Sequence, residues 1–82
     1  MVHRYRLTWV RTVHSLSPLK FVVGKFEFKA NSERLMEAVV RRHIDSLPNP
    51  EECSGFNLVE VVVEEQVSSI DLSFLRTASP KR

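Results

Sequence analysis

Apolar and polar side chains alternate along the first third of the chain and predict two extended strands. In residues 3–13, Tyr5, Leu7 and Trp9 alternate with basic and threonine side chains. Because successive side chains of a strand point to opposite faces, this pattern indicates an aromatic inner face and a basic outer face. Residues 19–29 alternate in the same way, and the short connection containing Pro18 favours an antiparallel hairpin between the two strands.

A helix is expected directly after the second strand. Asn31 or Ser32 is suited to cap it, and Pro48 and Pro50 predict its end near Ser46. An apolar stripe recurs at three- and four-residue spacing along the segment. The stripe consists of Leu35, Met36, Val39, Val40, His43 and Leu47.

The run Phe56–Glu65 is the richest β-branched stretch of the chain and predicts a central strand. Its valines at 59, 61 and 63 share one face, which we expect to lie beneath the helix. The opposite face, containing Leu58 and Val62, is expected to be partly exposed. Strict alternation in residues 70–74 predicts a short final strand, and residues 76–82 lack apolar anchors and predict a disordered tail.

These elements define an α+β fold with the order ββαββ. We expect a single domain over residues 1–75, with a four-stranded mixed or antiparallel sheet in the strand order 2-1-3-4 and one helix across one face. The direction of strand 3 relative to strand 1 stays open at this point. A parallel strand 3 would give a β-grasp-like roll, although no sequence motif supports membership of that family.

Length and charge exclude several classes of protein. The chain has 82 residues, which allows one domain, and its formal charge of +2 is weaker than that of a dedicated DNA-binding protein. Residues 1–34 carry seven basic and two acidic side chains, whereas residues 35–82 carry five basic and eight acidic ones. No apolar run reaches the ~18 residues of a membrane span, and the N-terminus lacks the apolar core of a signal peptide. We therefore expect a cytoplasmic protein that does not enter a membrane.

The sequence contains few residues suited to catalysis or metal binding, and their spacing matches no known catalytic or metal-binding motif. The three histidines do not occur at metal-ligand spacing, and the two glycines form no phosphate-binding loop. We interpret His43 as a histidine at the edge of the core, Cys53 as an unreactive thiol and Glu60 as a strand-end carboxylate paired with Arg4 or Arg6. No catalytic residue, metal or cofactor is expected, so the sequence favours a protein that is not an enzyme.

The outer face of the sheet is the predicted partner-binding surface. It combines basic and apolar side chains, a mixture found where one protein binds another. The predicted residues are Arg4, Arg6, Val10, Phe21, Val23, Lys25, Lys29, Leu58 and Val62. The leading hypothesis is a small protein–protein interaction or accessory-subunit module, acting as a homodimer or on another protein, through this face or the edge of strand 2. The alternative is binding of RNA or single-stranded DNA by the basic N-terminal hairpin.

Overall fold

The computed structural model describes residues 2–13, 20–63 and 66–77. Four strands and one long helix make up most of this part of the chain. In chain order the elements are β1 (His3–Val13), β2 (Lys20–Ala30), α1 (Glu33–Asp45), a 3-10 turn (Pro50–Glu52), β3 (Cys53–Val63), β4 (Gln66–Ile70) and the single-turn α2 (Phe74–Thr77). The connection predicted at residues 14–18 lies outside the described residues.

The four strands form one antiparallel sheet in the order β2-β1-β3-β4. The predicted α+β class, strand order and single covering helix are thereby confirmed. The direction of β3, which the sequence left open, is antiparallel to β1. This pairing differs from the parallel central pair on which the β-grasp-like alternative depended.

The core lies between the sheet and α1. Tyr5, Leu7 and Trp9 of β1 are buried there against Met36 and Val40 of α1. These three β1 side chains share one face because they alternate with polar residues along the strand. Opposite Trp9 on β2 stands Gly24, and an added Cβ at this position would lie 2.2 Å from the indole ring. A glycine is therefore needed here to make room for Trp9.

Helix α1 begins and ends where its local sequence predicts. The hydroxyl of Ser32 accepts a hydrogen bond from the backbone N–H of Leu35 at 3.1 Å, so Ser32 is the N-cap. At the other end, the backbone N–H of Ser46 donates to the carbonyls of Arg42 and His43. The positive charge of Arg42 in the last turn also suits the negative end of the helix dipole.

The predicted orientation of β3 is wrong. Leu58 stands opposite Leu7, and both side chains are 0% exposed within the core. Val59 and Val61 stand opposite Arg6 and Arg4, and therefore on the sheet face that turns away from α1. The pairing with β1 determines which face of β3 lies toward α1, because directly opposed residues of paired strands share a face of the sheet. Leu58 is consequently a core residue and does not belong to the predicted partner surface.

The last predicted strand is also displaced along the chain. β4 ends at Ile70, whereas the sequence pattern placed a strand over residues 70–74. The carboxylate of Asp71 accepts a hydrogen bond from the backbone N–H of Ser73, a local turn that replaces strand pairing. α2 then covers residues 74–77, and the remainder of the predicted tail, residues 78–82, lies outside the described residues.

Candidate interaction surface

The sheet has one covered and one open face. α1 packs on the covered face, and the partly buried Phe74 and Leu75 at the start of α2 join the same core. The other face, which we call the open face, carries side chains from all four strands. By strand register these are Arg4, Arg6, Thr8, Val10, Thr12, Phe21, Val23, Lys25, Glu27, Lys29, Asn57, Val59, Val61, Val67 and Ser69.

One end of the open face is strongly basic. Four cations, on Arg4, Arg6, Lys25 and Lys29, accompany the single carboxylate of Glu27. The Nε of Arg6 donates to that carboxylate at 2.9 Å, and this hydrogen bond lowers the pKa of Glu27. Among the described residues, the other three cations have no ion pair. The described part of the open face therefore carries an excess of positive charge.

A shallow hollow of about 410 Å³ lies at this basic end. Its lining includes Arg4, Arg6, Glu27, Lys29 and the apolar side chain of Val61. Arg4 and Lys29 are direct cross-strand partners, so two like charges stand side by side. Such a pair is unfavourable in a sheet, and an anionic group bound nearby would relieve the repulsion.

The other end of the open face is apolar at the β2 edge. Phe21 is 68% exposed and Val23 is 71% exposed, while Val10 stands opposite Val23 on β1. These exposures show that no described element covers this end of the sheet. A cluster of large exposed apolar side chains beside charged ones is typical of a protein-binding surface.

The middle of the open face is apolar but already shielded. Val59 and Val61 are each 8% exposed, although α1 packs on the opposite face of the sheet. Their cross-strand neighbours are Arg6 and Arg4, whose aliphatic stems can lie over the valines while the charged groups remain in water. Each arginine can therefore cover apolar surface with its stem while its guanidinium group stays in water.

The structure brings seven of the nine predicted surface residues together on the open face. These are Arg4, Arg6, Val10, Phe21, Val23, Lys25 and Lys29. Leu58 is in the core, and Val62 is 59% exposed beside the pairing irregularity between Val61 and Val63. The binding role of these residues remains a prediction.

Glu60 lies on the covered side, where the sequence did not place it. Its carboxylate is 2.7 Å from the Nδ1 of His3, and it does not form the predicted pair with Arg4 or Arg6. Burial together with the nearby charges of Glu60 and Glu33 raises the pKa of Tyr5. The open face thus loses a carboxylate that would have opposed a bound phosphate. Glu64 lies outside the described residues.

His43 is part of the aromatic packing under α1. Its ring stacks on Phe26 with centroids 3.9 Å apart, and it also meets Trp9 at 5.2 Å. The Nε2 atom is buried with no hydrogen-bond partner among the described residues, and burial lowers the pKa of the imidazole. The interpretation of His43 as a histidine at the core edge agrees with this packing.

Cys53 lines a second, smaller hollow on the covered side. The thiol is half-buried and donates to the carbonyl of Asn49 at 3.4 Å. The hollow measures about 210 Å³ and is lined by Trp9, Arg11, Val22, Gly24, Leu47, Pro48, Asn49 and Cys53. This lining places neither an imidazole nor a carboxylate beside the thiol to activate it.

The described residues contain neither a cluster suited to bind a metal ion nor a helix suited to cross a membrane. Within residues 2–13, 20–63 and 66–77, no three His, Cys, Asp or Glu side chains are grouped so that they could hold a metal ion. No helix in the same ranges has the length and apolarity needed to cross a membrane. Comparisons with protein-family models, with curated proteins and with solved structures give no match to this chain.

Proposed function

We propose that this chain is a small, non-enzymatic interaction module that binds a protein partner through the open face. The observation that carries the proposal is the uncovered apolar end formed by Phe21 and Val23, next to a basic end with three unpaired cations among the described residues. An accessory subunit of a larger assembly would use such a surface. A cytoplasmic location agrees with this role and remains a prediction.

The energetics of a one-sided sheet support this proposal. A domain of this size buries only about 60% of the surface that its unfolded chain exposes, so its own core gives limited stability. A partner laid over the open face would remove Phe21 and Val23 from water, and burial of a side chain of this size contributes about 1.5–3 kcal/mol. The basic end would at the same time favour a partner whose surface is acidic.

The proposal can be tested by affinity capture with matched surface variants. Val23→Ser removes an exposed aliphatic side chain from the open face, and Leu35→Ser removes one from the exposed side of α1. We expect the wild-type chain and Leu35→Ser to retain the same bound protein from native lysate, and Val23→Ser to lose it. Circular dichroism of both variants checks that the fold is intact.

Nuclease treatment completes this experiment. A protein partner held directly by the open face remains bound after nuclease digestion. Equal capture by Val23→Ser and Leu35→Ser, or loss of all capture with nuclease, would contradict the proposal.

Binding of RNA or single-stranded DNA is the second candidate, and the position of Glu60 favours it. With Glu60 on the covered side, Glu27 is the only described carboxylate on the open face, facing four cations. Stacking support is limited, because Phe56 packs on Trp9 and leaves Phe21 as the exposed ring of this face in the described chain.

Fluorescence polarisation with mixed oligonucleotides tests this candidate. Arg4→Ala and Lys25→Ala should each weaken binding and reduce its salt dependence, because fewer counterions are released on binding. Arg34→Ala, on the exposed side of α1, is the matched control and should leave binding unchanged. An absence of binding at low ionic strength would eliminate the nucleic-acid function.

A further inference from the structure

β2 is the longer of the two edge strands of the described sheet, and its outer edge has no paired strand there. β2 is 11 residues long and ends the sheet on one side, whereas β4, on the other side, has five residues. An edge strand exposes a row of unpaired N–H and C=O groups, and proteins usually protect it by shortening it or by adding lysines. β4 is protected against further strand pairing by its short length, whereas β2 is protected by the charges of Lys25 and Lys29.

We propose that β2 pairs antiparallel with β2 of a second copy, on a two-fold axis at Phe26. This inference rests on the proposed interaction function and names the partner at the β2 edge as the chain itself. In this register Phe26 meets Phe26 of the second copy, and residues 22–30 of both chains form one ladder. The two sheets then join into a continuous eight-stranded sheet with both α1 helices on the same side.

Charge complementarity selects this register. Lys25 of each copy stands directly opposite Glu27 of the other, and both residues lie on the open face. Around the axis the four side chains alternate in sign, so each lysine has a carboxylate across the strand pair. Arg6 is bonded to one carboxylate oxygen of Glu27, and the other oxygen has no hydrogen-bond partner among the described residues, so it can accept from the lysine of the second copy.

The same register brings apolar surface under cover. Val23 stands opposite Lys29 of the second copy, and Phe21 is diagonal to it, so the aliphatic stem of that lysine can lie over both. The two Lys29 ammonium groups remain about 20 Å apart along the ladder, which is beyond the screening length of physiological salt.

Other alignments of the two edges are less favourable. An axis at Lys25 would place Lys25 directly against Lys25 of the second copy, a like-charge contact. An axis at Val22 would gather Phe21, Val22 and Val23, but it pairs only residues 20–24 of β2. Face-to-face packing of two open faces would oppose their positive charges. Compared with these alignments, the axis at Phe26 combines opposite-charge pairs with a ladder of nine residues of β2.

Charge reversal with rescue tests the proposal. The wild-type chain should be a concentration-dependent dimer in sedimentation equilibrium. Lys25→Glu and Glu27→Lys each turn both cross-copy pairs into like-charge pairs, and each should weaken the dimer about tenfold or more. Both residues are exposed, so the variants should fold as the wild type does.

Two rescue measurements identify the register. An equimolar mixture of Lys25→Glu and Glu27→Lys should form a heterodimer, because each mixed pair is again opposite in sign. The double variant Lys25→Glu with Glu27→Lys should recover the wild-type homodimer. Arg34→Glu, on α1, should not change the dimer.

The outcomes separate this inference from the proposed function. A wild-type chain that stays monomeric at every concentration, or variants without mutual rescue, would overturn the β2 dimer. Neither result affects capture of a different protein by the open face, which the comparison of Val23→Ser with Leu35→Ser measures independently.

Discussion

The absence of a side chain at Gly24 allows the indole ring of Trp9 to pack against β2 on the covered face. The indole ring of Trp9 occupies the space where any other residue at position 24 would carry its Cβ. We expect Gly24→Ala to lower the free energy of unfolding by about 1–3 kcal/mol, the usual cost of overpacking a core. Chemical denaturation measures this change.

Lys25→Ala is the matched control for Gly24→Ala. Lys25 is the next residue of the same strand, and its side chain is exposed on the open face. At a protein concentration low enough to keep the chain monomeric, the free energy of unfolding of Lys25→Ala should stay within about 0.5 kcal/mol of the wild type. Equal effects of the two substitutions would contradict a specific contact between Trp9 and residue 24.

His43 makes stability depend on pH. Burial lowers its pKa below the ordinary value of 6.5, so the unfolded chain binds a proton more readily than the folded one. The contribution of neutral His43 is complete above the unfolded pKa and is lost as the pH falls through the lower folded pKa.

We expect His43→Phe to reduce the loss of stability on acidification. A phenyl ring can keep the stacking on Phe26 but cannot bind a proton. Denaturation of both proteins at several values between about pH 7 and pH 5 gives the two slopes. Identical slopes would show that His43 does not contribute to the pH dependence.

At the scale of elements, β3 is where the sequence interpretation and the structure differ most. The alternation of Val59, Val61 and Val63 with Leu58 and Glu60 defines two faces, but periodicity does not say which face a helix covers. The answer depends on which residues of β1 stand opposite, a long-range property. Leu58 stands opposite Leu7, whereas Val59 and Val61 stand opposite Arg6 and Arg4, whose aliphatic stems can lie over them.

A pair of truncations measures this difference between the two faces of β3. Leu58→Ala should lower the free energy of unfolding by about 2–5 kcal/mol, because it leaves a cavity among core side chains. Val59→Ala should cost less than about 1.5 kcal/mol, because flexible arginine stems can close over the smaller side chain. The reverse order in chemical denaturation would restore the original interpretation of β3.

The local elements were predictable where their signals are local. β1, β2 and α1 follow from alternation, from the apolar stripe and from the cap at Ser32, and each agrees with the structure within a few residues. β4 was misplaced along the chain: residues 70–74 alternate as a strand would, but the strand ends at Ile70, and Asp71 satisfies the backbone N–H of Ser73 itself.

The candidate surface was predictable for its β1 and β2 residues and not for β3. The hairpin register follows from two alternating strands joined by a short connection, so the seven residues from Arg4 to Lys29 were placed together correctly. Leu58 was misplaced with the rest of β3. The bulge opposite Trp9, where Gly55 has a φ of 64°, is a further feature that alternation alone does not reveal.

At the scale of the whole molecule, thermal stability reports on self-association. The molecule is 18 Å thick along its shortest axis, which is the thickness of one sheet and one helix. If two copies join at β2, each tenfold rise in protein concentration should raise the melting temperature by roughly 3–5 °C. Differential scanning calorimetry of Lys25→Glu should show a smaller rise, and a concentration-independent wild type would count against association.

The missing side chain at Gly24, where the indole ring of Trp9 packs, fixes the register of the hairpin formed by β1 and β2. Trp9 can settle against β2 only where a side chain is missing, and β2 has one such position. If the hairpin register slipped by two residues, the indole ring of Trp9 would clash with the side chain of Val22 or Phe26. This clash disfavours the slipped pairings. The register of the hairpin fixes which backbone N–H and C=O groups of β2 point outward at the edge of the sheet. Every molecule therefore offers a neighbouring chain the same order of hydrogen-bond donors and acceptors.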